Sequence, residues 1–138
     1  MKKRRIALVL AVFVVAGLTA LLVNYKTNDL NTPVICISVD ENGNCQGAAS
    51  KFTKGTDKVT FLCQRNKPFI KEATITWYSD NNNNTPVKTE TVEANDKGYF
   101  ISSFSKSEGL SSGDYHAYID ISYTFGSTKS VANFTIEK

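Results

Sequence analysis

Leu110-Ser111-Ser112-Gly113-Asp114-Tyr115-His116-Ala117-Tyr118-Ile119-Asp120-Ile121-Ser122-Tyr123 decides the fold. After the turn signal at Ser111 to Asp114, the residues Tyr115, Ala117, Ile119 and Ile121 alternate with His116, Tyr118, Asp120 and Ser122. That period of two fits an extended strand with one buried face. The pattern recurs on either side: Val59, Phe61 and Cys63 oppose Lys58, Thr60 and Gln64; Ala73, Ile75 and Trp77 oppose Thr74, Thr76 and Tyr78; Ala132, Phe134 and Ile136 oppose Val131, Asn133 and Thr135. The expected strands are Val34 to Val39, Lys58 to Gln64, Ala73 to Ser79, Val87 to Glu93, Tyr99 to Phe104, Tyr115 to Tyr123 and Lys129 to Glu137. Between them lie Asp40-Glu41-Asn42-Gly43-Asn44, Arg65-Asn66-Lys67-Pro68, Asp80 to Asn84, Asn95-Asp96-Lys97-Gly98 and Gly109 to Asp114, residues that start turns or tolerate positive φ. Strands with one apolar face each predict an all-β antiparallel sandwich over residues 34–138.

Three features sharpen the expectation. Cys63 precedes Trp77 on the following strand, and Leu110 to Ala117 opens the strand after the Ser-Ser-Gly-Asp turn. This last stretch resembles the tyrosine corner of immunoglobulin-like domains, in which a Tyr two residues before the second core Cys bonds its hydroxyl back to the chain. Ala117 stands at that Cys position. The resemblance therefore implies a seven-stranded immunoglobulin-like sandwich without the inter-sheet disulfide. Ile75-Thr76-Trp77-Tyr78-Ser79-Asp80-Asn81, Lys97-Gly98-Tyr99 and Ser112-Gly113-Asp114-Tyr115-His116-Ala117-Tyr118 are also similar to the Bsp-like repeat of streptococcal surface proteins. That likeness covers about residues 57–138 and departs where a second Trp-Tyr pair is expected, near Val87 to Thr91. It implies an envelope-associated, non-catalytic module and carries over no catalytic residue.

The N-terminus has a different character. Lys2, Lys3, Arg4 and Arg5 precede Ile6 to Val23, a run without charge whose only polar residue is Thr19. As a helix this run is about 27 Å long, close to the roughly 30 Å hydrocarbon core of a bilayer. The expected organisation is a cytoplasmic basic flank (1–5), a transmembrane signal-anchor helix (6–23), a linker (24–33) and the extracytoplasmic domain (34–138). A linker of about ten residues reaches at most about 35 Å, which keeps the domain close to the membrane. The alternative is a secreted domain with a cleaved signal peptide; the best small-x-small site, Val15-Ala16-Gly17, would leave Leu18 to Val23 on the mature chain, so length favours the anchor. A pilin-like filament subunit is a second alternative, although Arg5-Ile6 lacks the usual small residue and the apolar run carries no acid.

Charge and composition exclude several functions. The 138-residue chain carries 16 Lys+Arg against 13 Asp+Glu, a net +3, and four of those cations lie in the basic flank. The remainder holds 12 cations against 13 acids, a net of −1, so no nucleic-acid partner is expected. His116 is the sole imidazole, placed outward beside Tyr118 and Asp120, and the nearby Ser111 and Ser112 sit in a turn without a sign of an oxyanion hole. No enzyme activity, cofactor or metal is expected. Asp40, Asn42 and Asn44 imitate the start of a calcium loop, but Cys45 replaces the sharp-turn Gly and Lys51 the terminal Glu. Asn83-Asn84-Thr85 and Asn133-Phe134-Thr135 match a glycosylation pattern that matters only in a eukaryotic cell.

Three cysteines in an exported domain allow one disulfide. Cys63 shares the phase of Val59 and Phe61 and is expected to be a buried thiol, whereas Cys36 is out of phase with Ile35, Ile37 and Val39 and Cys45 follows a turn. The expected pair is Cys36 with Cys45; Cys45 with Cys63 is the alternative. Tyr78, His116 and Tyr118 form the expected contact patch, toward an unidentified protein or glycan. The other expected partner is the membrane, through the N-terminal helix.

Overall fold

The computed structural model describes residues 29–82, 85–123 and 126–138. The basic flank, the apolar run 6–23 and residues 24–28 of the linker lie outside them. Among the described residues no helix is long and apolar enough to cross a membrane. The described residues form ten strands in order: β1 (Val34–Cys36), β2 (Ser38–Val39), β3 (Cys45–Gln46), β4 (Lys51–Phe52), β5 (Lys58–Gln64), β6 (Glu72–Ser79), β7 (Thr85–Glu93), β8 (Tyr99–Ser105), β9 (Gly113–Tyr123) and β10 (Gly126–Ile136).

They form a three-stranded sheet β1-β5-β8, a five-stranded sheet β4-β10-β9-β6-β7 and the small hairpin β2-β3. Every pairing is antiparallel except β4 with β10, which is parallel. The strand neighbours β5–β8 in one sheet and β6–β9–β10 in the other give an immunoglobulin-like sandwich. The tyrosine corner is formed as well. Tyr115 Oη donates to the Ser111 carbonyl at 3.0 Å and accepts the Ser111 N–H at 3.1 Å.

The two large sheets meet in one aromatic core. Trp77 on β6 is wholly buried, edge-on to Phe61 of β5 at 6.3 Å and beside Phe104 of β8 at 5.7 Å and Phe134 of β10 at 5.9 Å. Tyr115 stacks on Phe134 at 5.1 Å. A buried indole N–H needs an acceptor, and Trp77 Nε1 finds Ser102 Oγ at 2.9 Å, whose own hydroxyl donates to Glu90. The faces follow the alternation expected for β6, β9 and β10.

Four expectations require correction. The strand expected over Val34 to Val39 is broken: Ile35 and Cys36 are both buried, Ile37 is 43% exposed, and the Ile37 N–H leaves the sheet for the Gln46 carbonyl at 2.8 Å. Two-residue strands β3 and β4, too short to show a period, add a hairpin and an edge; Phe52 of β4 packs edge-on to Phe134 at 6.1 Å. In β5, Thr60 and Leu62 are buried along with Val59, Phe61 and Cys63, since β5 is the central strand between β1 and β8 and Thr60 Oγ1 shares a hydrogen bond with Ser103 Oγ at 3.0 Å. Finally, the linker does not extend to Pro33. Asp29 and Leu30 are buried, and the Asn31 N–H reaches the Gln64 carbonyl at 2.9 Å.

These pairings define two ends. The end at which the chain enters holds the loops after β5 and β7 and the turn between β9 and β10. The far end holds the loops after β6 and β8 and the short strand β4. His116 and Tyr123 are seven positions apart on β9, so roughly 23 Å separates the two ends along that strand.

Candidate functional site

Register brings the sequence-predicted patch together. On the outer face of the five-stranded sheet, Tyr78 of β6 pairs with His116 of β9, and Thr76 pairs with Tyr118. The Tyr78 and His116 rings stack, 4.9 Å apart and 10° from parallel. Tyr118 stands edge-on to both, at 5.7 Å from Tyr78 and 5.0 Å from His116. Lys129 of β10 holds its ammonium 4.2 Å above the Tyr118 ring, a cation–π contact worth about 0.5–1 kcal/mol at an exposed site.

Two members of this cluster escaped the sequence reading. Lys129 faces Asp120 across β9 and reaches Tyr118 on the diagonal, which only the β9–β10 register reveals. Asp80, placed by sequence in a hairpin tip, begins a short 3-10 turn (Asp80–Asn82) that folds back over the start of β9. Its Oδ1 lies 2.5 Å from His116 Nδ1. An ionised carboxylate only accepts, so Nδ1 carries the proton there. The imidazole is 13% exposed and the carboxylate 40%. The pair thus fixes the ring's orientation and leaves Asp80 open to solvent.

Beside the rings lies a shallow hollow of about 310 Å³, whose polar lining comes from Ser50, Lys51, Asp80, Asp114, Asn133 and Thr135. Asp114 accepts a hydrogen bond from Thr135 Oγ1 at 2.6 Å. Asn133 sits opposite His116 in the β9–β10 register and is exposed. Flat ring faces next to carboxylate, amide and hydroxyl groups suit non-covalent recognition of a polar surface with apolar patches.

The two serines near His116 in sequence are engaged away from its ring. Ser111 is held in the tyrosine corner, and Ser112 Oγ donates to the Glu137 carbonyl at 2.9 Å. Asp40 accepts from the Asn42 and Asn44 N–H groups, each at 2.9 Å, and from Asn44 Nδ2 at 2.8 Å, so the loop that imitates a calcium site is a self-satisfied turn. The backbone bond from Asn44, with that from its side chain, holds the Asp40 carboxyl below its ordinary value. Among the described residues no group of three His, Cys, Asp or Glu is placed to hold a metal.

Cys36 and Cys45 form the disulfide, with Cα atoms 5.7 Å apart. Cys63 is a buried free thiol whose Sγ donates to the Asn31 carbonyl at 3.3 Å. Burial pushes this thiol up to about 12, so it is inert as a nucleophile at neutral pH.

At the entry end, Asp29 is 7% exposed and forms the hub of a buried clamp. Lys67 Nζ contacts Oδ1 at 2.6 Å, and Tyr123 Oη and Thr128 Oγ1 donate to Oδ2 at 2.8 and 2.5 Å. Burial alone would push the Asp29 carboxyl up; the bonds from Lys67, Thr128 and Tyr123 outweigh it and hold the carboxyl below its ordinary 3.8.

No protein-family model matches the chain, and no curated protein matches it. Among solved structures the chain is similar to a bacterial immunoglobulin-like domain from the M. primoryensis ice-binding adhesin, at 12% identity and a TM-score of 0.42, over 78% of this chain and 97% of that one.

Proposed function

We propose that the protein is a membrane-anchored, extracytoplasmic recognition module of the cell envelope that binds a protein or glycan without making or breaking bonds. The observation that carries this reading is the preassembled cluster of Tyr78, His116, Tyr118, Asp80 and Lys129 on the outer sheet face. Its rings are fixed by one another and by a carboxylate, so little side-chain freedom is lost on contact, the condition under which aromatic residues bind well. In this reading residues 6–23 anchor the chain and the immunoglobulin-like domain, related to the Bsp-like repeat over about residues 57–138, presents the cluster outward. The cluster lies toward the end of the sandwich opposite the chain entry at Asp29, the side that an anchored domain offers to its surroundings.

The test is solid-phase binding of the detergent-solubilised full chain to arrays of glycans and of purified envelope proteins. Tyr78→Ala and Tyr118→Ala are expected to lower the affinity for the captured ligand at least about tenfold, as interface aromatics typically do. Asp96→Ala, in the exposed loop after β7 at the opposite end of the sandwich, is expected to leave it unchanged. Binding that survives both tyrosine substitutions refutes this face as the recognition surface.

A further inference from the structure

Phe69 is 58% exposed, the most exposed large apolar side chain among the described residues. Its exposure is not the looseness of a free loop. The Ile70 N–H closes a turn onto the Lys67 carbonyl at 3.2 Å, Arg65 Nη1 donates to the Ile70 carbonyl at 2.8 Å, and the Ile70 side chain is itself in the core at 3% exposure. A loop pinned on both sides therefore holds an aromatic ring in water. The same loop receives the incoming chain. The Asn66 N–H bonds the Asp29 carbonyl at 2.8 Å, and Lys67 pairs with the Asp29 carboxylate. Tyr123 ties the two together, bonding Asp29 through its hydroxyl and meeting Phe69 edge-on at 5.4 Å.

Only residues 24–28 separate Asp29 from the apolar run 6–23, a span of at most about 18 Å when fully extended. If residues 6–23 sit in a bilayer, Phe69 can lie no further from its surface than this short span and the width of the loop allow. We propose that the entry end of the sandwich rests on the bilayer that holds the chain's own N-terminal segment, with Phe69 inserted at the headgroup level. This inference rests on the anchored reading above. An apolar ring gains by burial at the boundary of headgroups and acyl chains, where the Phe, Trp and Leu side chains of interfacial segments lie. Exposed Lys71 lies two residues away, but Glu72 and Glu93 face each other across β6 and β7 at the same end. Ring insertion, rather than attraction to anionic lipid, is therefore the contact, and zwitterionic vesicles suffice to test it.

The experiment reconstitutes the full chain in phosphatidylcholine vesicles with lipids brominated near the headgroup. Trp77 is the sole tryptophan and is wholly buried, so the parent chain supplies an internal reference. Phe69→Trp is expected to lose emission about twofold in brominated vesicles and to be shielded from aqueous iodide. Val131→Trp, at a 39% exposed position on β10 removed from the chain entry, is expected to remain unquenched by the lipid and open to iodide. If the chain sediments with vesicles through alkaline carbonate but Phe69→Trp is quenched by iodide and not by lipid, the proposal fails while the anchor stands. If Val131→Trp is quenched as strongly, the domain lies on its side and the proposal also fails. A chain released by carbonate overturns the anchored reading, and this inference with it.

Discussion

The two ends of the sandwich solve different problems with the same residue types. At the entry end a buried carboxylate gathers a half-buried lysine and tyrosine: Asp29 accepts from Lys67, Tyr123 and Thr128. Toward the far end a carboxylate, a lysine and two tyrosines converge at the surface, with Asp80 40% exposed and Lys129 lying over a ring instead of an acid. Burial decides the difference. A desolvated carboxylate must be matched bond for bond and becomes a clamp, whereas a half-solvated one keeps capacity to bind something else.

Substituting each hub breaks this comparison into measurable parts. Asp29→Ala removes a buried carboxylate with the bonds it accepts from Lys67, Tyr123 and Thr128 and is expected to cost about 3 kcal/mol in urea denaturation, the effect of breaking a buried pair. A change below about 1 kcal/mol would place the clamp among ordinary surface ion pairs. Replacing Cys36 and Cys45 by serine frees the hairpin beside the entry end and is expected to cost about 2–3 kcal/mol on the chain-entropy account, read from the same denaturation curves. Tyr115→Phe removes the hydroxyl's bonds to Ser111 and is expected to cost about 1–2 kcal/mol, with the ring stack on Phe134 retained in the near-ultraviolet circular dichroism. The smallest stability effect belongs to Asp80→Asn, below about 1 kcal/mol because the pair is open to solvent, even though binding at the outer face should weaken.

Acid sharpens the contrast. The Asp29 carboxyl is depressed in the folded chain, so the stability it contributes is fully present above its unfolded value of 3.8 and is lost as pH falls through the lower folded value. Asp29→Asn is expected to be less stable than the parent at neutral pH and to lose less on acidification below 3.8. Parallel denaturation curves for the two chains from pH 5 down to pH 2 would assign the acid sensitivity elsewhere, with Asp40 and Glu108, also depressed, as the remaining sources.

Much of the sandwich was legible because alternation reports burial directly. Trp77, Ile119 and Phe134 each fall on the core face that their phase assigns. The buried thiol of Cys63 was legible for the same reason, since it sits in phase with a core strand, whereas the phase assigned to Cys36 was not: Cys36 is wholly buried and Ile37 is exposed. Alternation fails where a strand is two residues long, as in β3 and β4, and where both sides of a strand are covered, as around Thr60 and Leu62 in β5. It is also silent on register. Tyr78, His116 and Tyr118 could be placed on one face from phase alone, but the contacts of Asp80 with His116 and of Lys129 with Tyr118 depend on which residues stand opposite across β6, β9 and β10. Asp29 was assigned to a tether because one acid in a polar stretch has no period to betray it; its partners come from positions 67, 123 and 128.

The Cys36–Cys45 disulfide lies outside the layer where the sheets meet: it ties the end of β1 to the β2–β3 hairpin, while Ala117 and the solitary thiol of Cys63 leave the interior without a covalent rivet. Cohesion between the layers is therefore indifferent to oxidant. Under reducing conditions the hairpin would loosen as a flap on an otherwise intact body, Tyr99 would lose its snug seat over Gly43, and the outer aromatic face would keep its shape.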